Sequence, residues 1–119
     1  MIHIVDDDKY VLRGFQILLK SEGYESTAYE SVEDFLRLWK KDENDLLILD
    51  IHIPGLNGCD LLEYLERRKI YMPVIVITAY DEPESHKRSE SYGTIAYLLK
   101  PVDCEILIDL IRNSTHNLK

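Results

Sequence analysis

Carboxylates gather at two points of the chain where an apolar run gives out. Asp6, Asp7 and Asp8 follow Ile2–Val5, and Asp50 stands at the end of the run Leu46–Ile51. Adjacent like charges repel, and a bare cluster would drive the pKa of one member upward. A divalent cation resolves that conflict. An all-oxygen, partly hydrated site suits Mg²⁺, with Mn²⁺ as the substitute such a donor set accepts. An aspartate run ahead of a helix also caps it and complements its dipole, and Asp8 is assigned to that role. For Asp6 and Asp7 this spacing leaves both readings open.

A base meets these acids. Lys100 ends the run Ile95–Leu99 and supplies a point charge suited to a phosphate, or to a carboxylate that becomes one. Pro101 follows it, and an X-Pro bond in a tight turn can be cis. Thr78 ends the run Val74–Thr78. Taken singly, Lys100 is a solvated strand-end lysine and Thr78 a β-branched strand residue with a backbone-bonded hydroxyl. Their coincidence on one rim suggests chemistry at a phosphoryl group.

The elements that must position these residues are legible as a pattern. Ile2–Val5, Leu46–Ile51, Val74–Thr78 and Ile95–Leu99 are too short for helices and rich in β-branched or bulky residues. Tyr24–Tyr29 is a more polar strand, suited to an edge. Helical spacing relates Val11, Leu12, Phe15, Leu18 and Leu19, with Gly23 as the stop. A second helix repeats Val32, Phe35, Leu36 and Trp39, with Ser31 as cap and Asp34 completing a capping box. Leu61, Leu62 and Leu65 mark a third, and Ile106, Leu107, Leu110 and Ile111 a last one. The predicted order is β-α-β-α-β-α-β-α-β-α. Apolar strands alternating with amphipathic helices imply a doubly wound α/β sandwich with a parallel sheet. Ligands in such folds gather beyond the carboxyl ends of the strands, where Asp6, Asp7, Asp50, Thr78 and Lys100 all fall.

Composition narrows the function classes. The 119 residues suit a single domain, with about 113–119 as a tail or the start of a linker. A net charge of −8 argues against direct nucleic-acid binding. No apolar run reaches the ~18 residues of a membrane span, and Met1 leads straight into a strand without a signal peptide. Cys59 and Cys104 are too isolated for a disulfide framework or zinc site and are expected to be buried free thiols. A cytoplasmic location fits these features.

Four segments together resemble the receiver domain of bacterial two-component response regulators. They are "IVDDD" at 4–8, "LILDIHIPGLNG" at 47–58, "VIVITAY" at 74–80 and "YLLKP" at 97–101. "IHIVDDD" and "TAYDEP" look most like receivers of the nitrogen-fixation-regulator type, which carry a helix-turn-helix output domain. The resemblance implies a flavodoxin-like (βα)5 fold of strand order 2-1-3-4-5 and a phosphoryl group accepted on Asp50 from a sensor histidine kinase or phosphotransfer protein. It implies that Asp7 and Asp50 bind Mg²⁺ directly, Asp6 through water and His52 through its backbone carbonyl. Lys100 would pair with Asp50 and then with the phosphoryl oxygen. Thr78 would bond that oxygen, and Tyr97 would follow from exposed to buried. The readout face would be the fourth helix, the fifth strand and the fifth helix, serving an output domain, a partner protein or a phosphorylation-dependent homodimer.

Two departures carry expectations of their own. His52 and Tyr80 occupy rim positions that modulate phosphoryl lifetime in the family, and two bulky groups there imply slow autodephosphorylation. The segment Pro83–Tyr92 lacks an apolar stripe, which implies a short, mobile or displaced fourth helix. Three rival functions remain. A pseudo-receiver acting as a constitutive interaction module is disfavoured by the complete set Asp6, Asp7, Asp50, Thr78 and Lys100. A small-substrate phosphotransferase or phosphatase would need a substrate-pocket insertion, and a flavin module would need a phosphate loop; neither is evident.

Overall fold

The computed structural model describes residues 1–115. The elements are β1 (Ile2–Val5), α1 (Lys9–Ser21), β2 (Ser26–Tyr29), α2 (Val32–Leu38), β3 (Leu46–Asp50), α3 (Gly58–Arg67), β4 (Val74–Thr78), α4 (Pro83–Tyr92), β5 (Ala96–Leu99) and α5 (Cys104–Thr115). Of the expected tail, residues 113–115 continue α5, and 116–119 lie outside the described residues.

The five strands pair in the order β2-β1-β3-β4-β5, each pairing parallel. Alternation along each strand explains their continuous apolarity, because both sheet faces are covered. Val5, Leu47, Leu49, Val74 and Val76 pack toward α2 and α3 with Phe35, Leu62 and Leu65. Ile4, Ile48, Ile75 and Ile77 pack on the other face with Leu12 and Leu19 of α1 and Leu107 and Ile111 of α5.

Local chemistry sets the boundaries. Gly23 takes φ +86° and donates to the Lys20 carbonyl, while the Tyr24 amide donates to Leu19 at 2.8 Å. This two-bond closure of α1 occupies Tyr24, so β2 begins at Ser26 instead. Ser31 caps α2 by accepting from the Asp34 amide at 3.0 Å. The capping box stays half-made, because the Asp34 carboxylate turns to Arg37 at 2.9 Å. Trp39 leaves the helix with ψ near 131°.

Trp39 departs to serve a buried polar cluster that hydrophobic spacing did not reveal. The Asp45 carboxylate accepts from Trp39 Nε1 at 2.9 Å, the Asp42 amide at 2.8 Å and His3 Nε2 at 2.8 Å. The His3 Nδ1 atom lies 3.0 Å from the Tyr29 hydroxyl. Burial pushes the Asp45 carboxyl upward, but the bonds from Asp42, Trp39 and His3 outweigh it and hold the group below its ordinary range. A carboxyl lowered in the folded state stabilises the protein above its unfolded pKa, about 3.9, and the contribution disappears as pH falls through the folded value. Asp45→Asn is therefore expected to lose about 2 kcal/mol near neutral pH, with the gap to the parent closing in acid. Urea melts at stepped pH check this, and a gap that widens in acid contradicts it.

Two expectations need correction. The fourth helix is not short: α4 runs for ten residues. Polar contacts replace the missing stripe. Ser89 is completely buried because its hydroxyl donates to the His86 carbonyl at 2.8 Å. Arg88 reaches Glu63 of α3 through Nε at 3.0 Å and Nη2 at 2.7 Å. The Tyr92 hydroxyl donates to the Ile70 carbonyl at 2.7 Å and accepts from the Met72 amide at 3.1 Å. Cys59 is buried as expected, but Cys104 is exposed, because it is the first residue of α5 and that turn faces solvent.

Candidate functional site

Strand register dictates which residues meet. Val5 pairs with Leu49, so Asp6 and Asp50 leave the sheet side by side. Thr78 pairs with Leu99, so Lys100 emerges just beyond the end of β4. At this rim one carboxylate oxygen from each of Asp6, Asp7 and Asp50 lies within 4.8 Å of the others. Asp6 is fully buried, Asp50 is 4% exposed, and Asp7 faces solvent.

Lys100 ties the two buried acids together. Its Nζ donates to Asp6 Oδ2 and to Asp50 Oδ2, both at 2.9 Å. Each carboxylate has a second donor: the Asp8 amide serves Asp6 Oδ1 and the His52 amide serves Asp50 Oδ1, each at 2.9 Å. Burial raises the Asp6 carboxyl above its usual range, with repulsion from Asp50 adding to it; the Asp8 amide and Lys100 only partly offset these. For Lys100, burial pulls the ammonium down, but its bonds to Asp50 and Asp6 hold it above the ordinary lysine value. Three carboxylates face one ammonium here. That surplus of negative charge, made of oxygens only and open to water at Asp7, fits a hard divalent cation.

The aspartate run divides. Asp8 caps α1, its Oδ1 accepting from Tyr10 at 2.8 Å and Val11 at 3.3 Å. Thr78 is fully buried; its hydroxyl donates to the Tyr80 carbonyl at 3.0 Å and lies 3.2 Å from the Tyr80 amide nitrogen. Tyr97, expected to be exposed, is instead half-buried, because its ring stacks on His86 of α4 at 3.9 Å and 4° and its phenol oxygen is closed to solvent. The Lys100–Pro101 peptide is cis. Gly58 meets a steric demand, since a Cβ there would lie 2.9 Å from the Asp50 carbonyl oxygen. The start of α3 thus packs directly on the backbone that presents Asp50.

Sequence patterns missed two neighbours of the rim. Glu82 places Oε1 2.8 Å from His52 Nε2, and His86 carries the Tyr97 stack while its Nε2 lies 2.9 Å from Glu90. Neither Glu82–His52 nor His86–Tyr97 leaves a periodic signal, because the first joins two loops and the second joins α4 to β5. The i,i+4 spacing of His86 and Glu90 was the sole local clue.

The chain that builds this strand-end cluster is matched by a family model. The model for the response regulator receiver domain covers residues 2–112. The chain is a response regulator receiver domain. Among its relatives is the transcriptional regulatory protein FixJ of Rhizobium meliloti (strain 1021), 28% identical over 98% of this chain and 57% of that protein. Nodulation protein W of Bradyrhizobium diazoefficiens is 30% identical over 97% of this chain and 51% of its own length. The receiver thus spans little more than half of either relative. A solved CheY-like receiver domain from Methanospirillum hungatei JF-1 superposes with a TM-score of 0.87 at 31% identity, covering 98% of this chain and 93% of that one. The doubly wound order 2-1-3-4-5 is therefore that of a receiver, a regulatory module rather than a conventional enzyme. Among the described residues, no helix is long and apolar enough to cross a membrane.

Proposed function

We propose that this receiver accepts a phosphoryl group on Asp50 from a sensor histidine kinase or phosphotransfer protein, in a reaction that depends on Mg²⁺. The observation that carries the reading is the Lys100 ammonium shared between buried Asp6 and Asp50 at 2.9 Å each. An ion pair of this kind holds a nucleophilic carboxylate next to the cation that will meet the incoming phosphoryl oxygen.

Asp7 and Asp50 would hold the ion directly, Asp6 through water and His52 by its backbone carbonyl. Bound there, Mg²⁺ (or Mn²⁺) neutralises charge on the transferring group. The chain's own residues do the rest. A carboxylate oxygen of Asp50 bonds to phosphorus as the phosphorus–nitrogen bond of the donor histidine breaks. Lys100 passes from the carboxylate to the new phosphoryl oxygen. Thr78 gives up its bond to the Tyr80 carbonyl to donate to that oxygen, and Tyr97 turns further into the space it leaves. Two packings biased by one local charge make a switch.

The α4-β5-α5 face carries the readout to an output domain, a partner protein or a second phosphorylated copy, with no direct contact to nucleic acid. Ile95, Leu99 and Ile106 support this by exposing 40%, 49% and 49% of their surface on that side. We place this activity in the cytoplasm, within one receiver domain that the family model matches over residues 2–112.

The test is intact mass spectrometry after incubation with Mg²⁺ and acetyl phosphate. One phosphoryl group is expected, mapping to Asp50 and absent when a chelator is added. A wild-type protein that stays unmodified overturns the reading in favour of a constitutive interaction module. Turnover of unrelated phosphoesters would instead reveal a phosphatase.

A further inference from the structure

We propose that two copies of this chain pair through the outer face of α1, each seating that face in the groove between the other's α1 and the start of α5. The interface lies apart from the α4-β5-α5 readout face and needs no phosphoryl group.

The groove is a cavity of about 580 Å³ lined by Val11, Phe15 and Leu18 of α1 and by Pro101 and Val102. Leu18 and Cys104 also border a second cavity of about 330 Å³, so the groove continues along the two helices. Its first stretch is apolar. The second carries Glu22, Glu105 and Asp109 against Arg112 and is acidic in balance. Arg112 is shared by Glu22 and Asp109, at 2.8 and 3.8 Å, which leaves the Glu105 carboxylate without an ion-pair partner among the described residues.

The outer face of α1 matches this groove in chemistry. Tyr10, Arg13, Gly14, Ile17 and Lys20 recur at i, i+3, i+4, i+7 and i+10, which places them on one face of the helix. Tyr10 is 88% exposed and Ile17 62%. Arg13 and Lys20 make no ion pair among the described residues. No contact within the chain calls for glycine at position 14. Its φ is not positive, and an added Cβ would meet nothing within 4 Å beyond its own helix backbone and chain neighbours. Glycine inside a helix is unfavourable relative to alanine. A close crossing by a helix from another molecule gives it a role, because the side chains at the contact set how near two helices approach.

A second copy brings both halves of the match. Under a twofold axis near Gly14, Tyr10 and Ile17 of each protomer enter the apolar stretch of the other, and Arg13 meets Glu105. The basic face and the acidic groove then meet twice. A net charge of −8 on each copy opposes the pairing, so the contact is weak and reversible.

Sedimentation velocity without Mg²⁺ or phosphodonor, from about 10 µM to about 1 mM protein, is the test. A concentration-dependent shift from monomer to dimer is expected. Ile17→Asp and Gly14→Leu should each weaken the dimer by about tenfold or more, while both variants keep a cooperative melt because neither site is packed within the chain. Arg13→Glu and Glu105→Arg should each weaken it alone. Mixed one to one they should pair as tightly as the wild type, since both contacts then join opposite charges. A fault in folding would not be rescued by mixing. A wild type that stays monomeric, or a mixture that does, overturns the inference. So does a dimer that survives Ile17→Asp and is lost in Leu99→Asp, which would place it on the readout face. A monomeric wild type whose labelling by a kinase is slowed by Ile17→Asp would give the groove to a kinase helix instead. Failure of Asp50 to accept a phosphoryl group would leave all these outcomes unchanged.

Discussion

Asp50→Asn is expected to leave a folded receiver that takes no phosphoryl group from acetyl phosphate or from a kinase. The loss should be complete on the time scale of wild-type labelling, because a carboxamide oxygen lacks the charge that makes the carboxylate a nucleophile. The fold should survive. The His52 amide that donates to Asp50 Oδ1 at 2.9 Å can donate equally to a carboxamide oxygen. Lys100 keeps its 2.9 Å bond to Asp6, so removing one acid leaves a balanced pair rather than an unpaired ammonium. Intact mass and a urea melt run together check both halves. A variant that still gains one phosphoryl group would move the acceptor elsewhere.

Lys100→Met should have the largest effect on stability. Removing one partner of a buried ion pair commonly costs about 3–5 kcal/mol. Lys100 itself is 24% exposed, which lets solvent screen part of that, so the expected loss is about 2–3 kcal/mol. The physical cause is two buried carboxylates, Asp6 and Asp50, left facing each other without a cation.

The pH dependence follows from the signs. Lys100 is held above its ordinary pKa, so its contribution is fully present below the unfolded value of about 10.4 and is lost as pH rises through the folded value. Across neutral pH the deficit of the variant should therefore be flat. Asp6 is raised, so its ionisation opposes folding, and protonation relieves the repulsion as pH falls through that raised value. The deficit should shrink on the acid side, and added Mg²⁺ should reduce it at neutral pH by supplying positive charge. Adding Asp50→Asn to Lys100→Met should recover most of the loss. Stability equal to wild type in urea would mean that Lys100 is a solvated strand-end residue after all.

The contrast between the two sets of elements explains how much could be known in advance. β1, β3 and β4 were legible because strands covered on both faces must be apolar throughout, and four or five such residues leave few alternatives. Gly23 was legible as a helix stop because φ +86° strongly favours glycine. The fourth helix was misjudged in length because its burial does not rely on apolar periodicity. Ser89 satisfies its hydroxyl on its own helix, and Arg88 and Tyr92 anchor to α3 and to the backbone before β4. The His3–Asp45 pair escaped notice for a similar reason: a buried acid looks polar in sequence, and only its donors make it an interior residue.

For the rim, residue types and their places at strand ends determined the acids, the base and the hydroxyl, because a parallel sheet delivers every strand end to one edge. What they could not determine was the division of labour among neighbours. Three consecutive aspartates look equivalent along the chain. Only the tertiary structure buries Asp6 against Lys100, leaves Asp7 at the solvent edge and spends Asp8 on the cap of α1. Only the meeting of two loops, 30 residues apart in sequence, brings Glu82 to His52. Periodicity records which face of an element is buried. Distances of 2.8–2.9 Å between groups on different strands and loops depend on register and on turn geometry, and those are set when the sheet closes.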